Sequence, residues 1–184
     1  QGATVSNTIL VHDGTFIISG LNPSYDNNEY VVTKIVSVNG AQSAFLTFSG
    51  ASGIGSTYDC YDFVGFTFSN LIFIANSSFF SFTNCVLEDI YGARSISCPN
   101  YCYVFQNSTL TNSFLDDYND TGFGLIESYF ENSILIDNNN WNLEVNPEQI
   151  SYTLNDLGLT ENSNINTDNP LFCDAENGDY SLAE

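Results

Sequence analysis

A short motif that recurs at unequal intervals constrains the fold of this chain more than any other feature. Residues 82–89, 110–117 and 130–137 align without gaps, and each reads apolar, any, Asn, small, apolar, Leu, any, Asp. A fourth, weaker copy over residues 68–73 lacks the Asp. The four Asn residues are 14, 28 and 20 residues apart along the chain: Asn70, Asn84, Asn112 and Asn132. Unequal spacing excludes a strict short repeat and favours coils of about 20 to 25 residues with fixed strands and variable loops.

This motif predicts an all-β chain folded as a right-handed parallel β-helix. Elsewhere, too, short apolar clusters alternate with Asn, Asp, Ser and Gly, which is typical of many short strands. Each coil must bend sharply between strands, and Asn tolerates the left-handed backbone of such a bend better than most residues. Stacked coils would bring equivalent Asn side chains about 4.8 Å apart, in an amide ladder. An antiparallel β-sandwich with coincidental Asn turns is the alternative.

The 184 residues fit one domain. We divide it into N-terminal coils or a cap (1–62), core repeats (63–140), and a C-terminal loop and closing element (141–184). Within the repeats, alternation of faces predicts an inward side chain before each bend and another after it. Those positions are Phe82, Leu110 and Phe130 before the bend, and Leu87, Leu115 and Leu135 after it.

The chain is strongly acidic, with 2 Lys and Arg against 22 Asp and Glu and a formal charge of −20. That balance excludes nucleic acid, whose phosphates need Lys and Arg, and disfavours anionic membranes. The sequence contains no run of 18 apolar residues, so we predict no membrane span. A surface that repels itself suits a salty or calcium-containing exterior, so we expect an extracellular or cell-surface location.

Cys98 and Cys102 bracket a three-residue polar loop and are candidates for a local disulfide.

Two parts of the chain look familiar. Gly65-Phe66-Thr67-Phe68-Ser69-Asn70 and Phe82-Thr83-Asn84-Cys85 resemble the strand-and-turn signatures of secreted right-handed parallel β-helix repeat proteins. Residues 168–182, with Asn-Pro-Leu-Phe and Gly-Asp-Tyr-Ser-Leu, are similar to the element that closes such helices in many bacterial surface proteins. The resemblance covers roughly residues 63 to 184, and it implies a fold and secretion better than it implies an activity.

Catalysis is poorly supported by the residues present. Polyuronate lyases need a cation, and Lys34 and Arg94 lie far apart in the sequence. Asp116-Asp117 and Asp168 superficially resemble the carboxylates of polygalacturonase-like hydrolases, but their order is reversed and the accompanying motifs are absent. We therefore predict no enzyme and no catalytic residue, but a structural subunit of a surface appendage, filament or adhesive matrix. The alternatives are a carbohydrate-binding module using Tyr and Trp141 faces, with polysaccharide as its partner, and a β-helix glycoside hydrolase.

The acidic residues suggest one further hypothesis. If the three full repeats stack in register, Asp89, Asp117 and Asp137 form a column, and like charges so close favour a bound cation. Calcium prefers oxygen ligands, so it is the candidate ion, although no cofactor is required. A second candidate site is the C-terminal loop with Asp174, Glu176 and Asp179.

The outward positions after the bends suggest self-association. Val86, Phe114 and Ile134 would stack into an exposed apolar stripe, which favours a homo-oligomer or a filament. The alternative is that loops cover the stripe.

Three Asn-x-Ser/Thr triplets are also glycosylation acceptors, at Asn76, Asn107 and Asn119.

Overall fold

The structure is a computed structural model that describes residues 4–18, 31–48, 54–57, 60–76, 79–96, 103–117, 128–138, 149–167, 172–174 and 179–182. The described residues form β-strands and no α-helix. In chain order the strands are β1 (Thr4–Val11), β2 (Gly14–Ile18), β3 (Val31–Ser37), β4 (Ala44–Phe48), β5 (Ile54–Thr57), β6 (Cys60–Val64), β7 (Thr67–Ser69), β8 (Ile72–Asn76), β9 (Phe79–Thr83), β10 (Val86–Glu88), β11 (Tyr91–Ile96), β12 (Tyr103–Gln106), β13 (Thr109–Thr111), β14 (Phe114–Asp117), β15 (Ser128–Glu131), β16 (Ile134–Ile136), β17 (Ile150–Ser151), β18 (Leu154–Asn155), β19 (Ile165–Asn166), β20 (Phe172–Asp174) and β21 (Asp179–Leu182).

The strands form three parallel sheets that the chain visits in turn. Sheet A has the order β1-β3-β6-β9-β12-β15-β17, sheet B the order β2-β4-β7-β10-β13-β16-β18-β19, and sheet C the order β5-β8-β11-β14. From β6 to β14 the path runs A, B, C in each successive coil, and every pairing within these sheets is parallel. The chain is therefore a parallel β-helix, and the predicted fold class is confirmed. Strands β20 and β21 form a separate antiparallel pair.

Left-handed residues make the bends, as the repeat predicts. The first corner joins sheet A to sheet B, and the second joins sheet B to sheet C. The left-handed residues of the first corner, from β6 onward, are Gly65, Asn84, Asn107, Asn132 and Tyr152, and those of the second are Asn70, Asp89, Asn112 and Asp137. Gly is common there because it has no Cβ to clash with the backbone carbonyl, and Asn and Asp are common because their short polar side chains offset that clash by local hydrogen bonding.

The single Asn ladder predicted from the sequence is wrong in one respect. Asn84 and Asn132 belong to the first corner, whereas Asn70 and Asn112 belong to the second. The motif occurs at both bends because each bend needs a strand, a left-handed residue and another strand. A small residue follows the bend at Asn84 and Asn132 of the first corner and at Asn112 of the second. The irregular spacing of 14, 28 and 20 residues therefore mixes steps between corners with steps between coils. The true coil lengths at the centre are 23 and 25 residues.

The core consists of aromatic side chains stacked along the axis of the solenoid. Phe63, Phe82, Phe105 and Phe130 occupy equivalent inward positions of sheet A, with ring centroids 5.7, 5.2 and 4.8 Å apart and planes within 11° of parallel. A second stack runs beside it through Tyr61, Phe80 and Tyr103 at 5.7 and 5.8 Å. Parallel register forces this arrangement, because equivalent residues of adjacent coils lie directly over one another.

The inward positions predicted from the repeat are buried. Phe82, Leu110, Phe130, Leu87 and Leu135 are each at most 1% exposed, and the side chain of Leu115 lies outside the described part of the structure. Sheet B supplies Leu87, Leu110 and Leu135 in one column, facing the aromatic stacks of sheet A. Edge-to-face contacts from Phe68 to Phe63 and Phe82 join the two sheets at 5.2 and 5.5 Å.

The two ends of the solenoid differ. At the N-terminal end Ile9 is in register with the buried column of Ile35 and Phe63, yet its side chain is 48% exposed. At the C-terminal end Leu157 and Leu159 pack against the core. The buried side chain of Asn155 holds that cover, since its Oδ1 accepts hydrogen bonds from the backbone N–H groups of both leucines at 3.0 and 3.2 Å.

Candidate functional site

A ladder of buried side chains follows the inside of the first corner. From β9 onward the residue after each left-handed position is small, namely Cys85, Ser108, Ser133 and Thr153, whereas Phe66 follows Gly65. The Ser108 hydroxyl accepts a hydrogen bond from the Cys85 N–H at 3.1 Å, and the Ser133 hydroxyl accepts one from the Ser108 N–H at 3.3 Å. The Thr153 N–H is bound by Oδ1 of Asn164 at 2.9 Å. Ser108, Ser133 and Asn164 therefore each satisfy a buried amide of the preceding coil.

The second corner repeats this arrangement. The Ser113 hydroxyl accepts a hydrogen bond from the Ile90 N–H at 3.1 Å, and Oδ1 of Asn138 accepts one from the Ser113 N–H at 2.9 Å. Nδ2 of Asn138 donates to the carbonyl of Leu110 at 3.0 Å. The repeat predicts a small residue after each bend but not the hydrogen bonds that these side chains accept. The signal was present, because Asn-Ser recurs at Asn107, Asn112 and Asn132.

Among the described residues of this ladder, Cys85 is the one that carries a thiol. Its sulfur lies 3.5 and 3.4 Å from the carbonyl oxygens of Phe63 and Thr83, to which a protonated thiol donates. Burial raises the pKa of the Cys85 thiol to about 12, because the apolar surroundings disfavour the thiolate, although nearby backbone hydrogen bonds oppose the shift. A neutral thiol with that surrounding is a structural group and a poor nucleophile.

The predicted column of three carboxylates does not form. Asp89 and Asp137 lie at the second corner with Asn112 between them, and Nδ2 of Asn112 donates a hydrogen bond to Oδ1 of Asp89. The two carboxylates are thus two coils apart, roughly 10 Å. Asp117 lies at the end of β14, in register with Arg94 of β11. Among the described residues no three side chains of His, Cys, Asp or Glu come together as a metal site.

The predicted apolar stripe is also divided. Val86 and Ile134 share an outward column of sheet B, but Thr109 lies between them and both are half-buried. Phe114 lies in sheet C, in register with Tyr91. The three residues are therefore not a continuous surface, because the aligned motif copies belong to different corners.

The structure describes only some of the remaining predicted site residues. Asn107 is an exposed left-handed residue of the first corner, while Ser108 and Thr109 of the same triplet are buried. Asp174 and Asp179 face each other in the register of β20 and β21, and Asn76 ends β8. The side chains of these three, and those of Phe114, Asp116 and Asp117, lie outside the described part. Cys98, Cys102, Asn119, Trp141, Asp168 and Glu176 lie outside it altogether.

An open cleft lies at the C-terminal end of the first corner. It has a volume of about 340 Å³ and is lined by Ser151, Tyr152, Asn162 and Ser163. The Tyr152 side chain is 64% exposed, and its backbone is left-handed, with a φ of 51°. The backbone N–H of Tyr152 donates to the carbonyl of Asn162 at 3.1 Å, so Asn162 lies on the next level of the same corner.

Comparison with known proteins finds no match to the chain among family models, curated proteins or solved structures. In the described residues no helix has the length and apolar character needed to cross a membrane.

Proposed function

We propose that this chain is an extracellular structural module: a β-solenoid subunit of a surface appendage, filament or adhesive matrix. The observation that carries the proposal is the difference between the two ends of the solenoid. Among the described residues, Leu157 and Leu159 pack against the core at the C-terminal end, whereas Ile9 of the inward column is 48% exposed at the N-terminal end. This difference supports assembly at the N-terminal end, which we call the open end.

The interior supports a mechanical role. Aromatic rings fill the axis in one stack from β6 to β15 and in a second from β6 to β12, and buried hydroxyls satisfy amides at both corners. Such a core gives stiffness along the axis, because these coils contact one another through stacked rings and through the hydrogen bonds of parallel sheets.

The N-terminal end supports assembly. Besides Ile9, the outward residues Leu10 and Ile17 are 64% and 66% exposed, and they belong to β1 and β2, the edge strands of sheets A and B. Edge strands with apolar side chains pair readily with strands of another molecule. A second copy of the chain is the partner that we propose.

The surface charge supports an exterior location. At a formal charge of −20, separate copies repel one another at low ionic strength, and salt or divalent cations screen that repulsion. Assembly should therefore increase with ionic strength.

Light scattering and negative-stain electron microscopy test this proposal. We expect the purified chain to form oligomers through the open end as protein concentration and salt rise. Leu10→Asp should abolish assembly, since it places a charge on the open end without touching the core. Ile165→Asp is the matched control, because Ile165 is 63% exposed at the opposite end, and it should assemble like the unmodified chain. Monomers at every concentration, salt level and calcium level would overturn the proposal.

A further inference from the structure

Tyr152 departs from the pattern of its own corner. Equivalent positions from β6 onward hold Gly65, Asn84, Asn107 and Asn132, all residues that adopt the left-handed conformation at low cost. A tyrosine has no short polar side chain to offset the strain of that conformation, and its ring is exposed, so packing does not offset the strain either. Strained residues that the surrounding structure holds in place concentrate at functional sites. A binding role for the ring gives a reason for the departure.

The corner presents the ring beside a set of neutral polar groups. Ser151, Asn162 and Ser163 line the cleft with Tyr152, so it offers two hydroxyls, one amide and one phenol. Ser163 and Asn162 are themselves left-handed, with φ of 63° and 53°. An exposed aromatic face with hydroxyl and amide groups beside it matches a sugar ring, which has an apolar face of C–H groups and a rim of hydroxyls.

Buried hydrogen bonds hold the cleft in shape. Directly after Tyr152, the Thr153 N–H is bound to Asn164, whose Nδ2 also donates to the carbonyl of Ile150 at 3.0 Å. Both Thr153 and Asn164 are buried. On the other side, the Asn132 N–H donates to the carbonyl of Ser151 at 3.2 Å. A rigid support of this kind reduces the entropy lost when a ligand binds.

Charge decides which sugar the cleft accepts. Among the described residues no Lys or Arg lines it, and the chain as a whole carries −20, so an anionic polysaccharide meets repulsion without a counter-ion there. A lipid would need an apolar lining, whereas three of the four lining side chains are small and polar. We propose that Tyr152 and its cleft form a binding subsite for a neutral polysaccharide. Binding here requires a single chain, so this proposal is independent of assembly.

Affinity electrophoresis under native conditions tests the subsite. The probes are four neutral polymers (laminarin, hydroxyethylcellulose, xylan and galactomannan) and one anionic polymer, polygalacturonate. We expect at least one neutral polymer to retard the unmodified chain and polygalacturonate to leave it unretarded. Tyr152→Asn should weaken that retardation about tenfold or more in Kd, whereas Tyr152→Phe should keep most of it because the ring face remains.

Two controls separate loss of the ring from loss of the fold. Tyr152→Asn introduces the residue found at this corner in three preceding coils, so its thermal midpoint should exceed that of the unmodified chain. Ile165→Ala removes an exposed side chain at the same end but outside the cleft, and it should leave retardation unchanged. The proposal is overturned if no neutral polymer binds, if Tyr152→Asn binds as well as the unmodified chain, or if only polygalacturonate binds.

Discussion

Replacing Ser108 by Ala tests the buried ladder of the first corner. The Ser108 side chain is 3% exposed, and its oxygen accepts the Cys85 N–H at 3.1 Å. The same oxygen lies 3.1 and 2.9 Å from the carbonyl oxygens of Phe82 and Gln106, so its one proton is donated to either of them. Alanine fits the same space, and the substitution therefore removes hydrogen bonding with little loss of packing.

The cost follows from the amide that is left behind. A buried N–H without an acceptor costs about 1–3 kcal/mol, and a cavity of one oxygen is too small for water to replace it. We expect Ser108→Ala to lower the free energy of unfolding by about 2 kcal/mol. In a chain of this length each kcal/mol shifts the thermal midpoint by about 2–4 °C, so the expected decrease is about 4–8 °C.

Urea denaturation followed by circular dichroism at 25 °C measures this cost. Ser69→Ala is the matched control, because Ser69 is half-buried on β7 and its hydroxyl oxygen accepts from the neighbouring side chain of Asn70 at an exposed position. That control should change the free energy of unfolding by less than about 0.5 kcal/mol. Ser108→Cys should fall between the two, since Cys85 already occupies the equivalent position. If Ser108→Ala is no more destabilising than Ser69→Ala, the ladder does not stabilise the fold as argued.

Three further predictions concern the corners. The Cys85 thiol should resist a disulfide reagent at pH 8 in the folded chain. Its contribution to stability is full below about pH 9 and is lost as pH rises towards 12, because only the unfolded thiol ionises in that range. A pKa difference of about three corresponds to about 4 kcal/mol, and urea midpoints of Cys85→Ser, which lacks this ionisation, supply the reference. Asn84→Ala should cost about 1 kcal/mol, whereas Asn84→Gly should be close to neutral by the same measurement, since glycine is unstrained at a φ of 54°. Tyr152→Asn should gain about 1 kcal/mol, and an unchanged or lower urea midpoint would contradict the account of its strain.

The sequence by itself determined the class of fold. Asn, a small residue and short alternating strands specify a left-handed bend between two strands, and this is a local property of the backbone that Asn84, Asn112 and Asn132 confirm. Alternation of faces likewise placed Phe82 and Leu87 inside, because the period of a strand is two residues. Both conclusions need only neighbours in the chain.

Only the tertiary structure decided which repeats lie over one another. Both corners use the same local sequence, so the motif cannot tell a step within a coil from a step between coils. Pairing between strands makes that distinction, and it divides the four Asn residues between two corners and moves Asp117 and Phe114 into sheet C. The alternation of Asp89, Asn112 and Asp137 follows from the same register. Tyr152 shows the limit most clearly, because a tyrosine in a left-handed bend has no local signature and only the stacked coils beneath it hold it there.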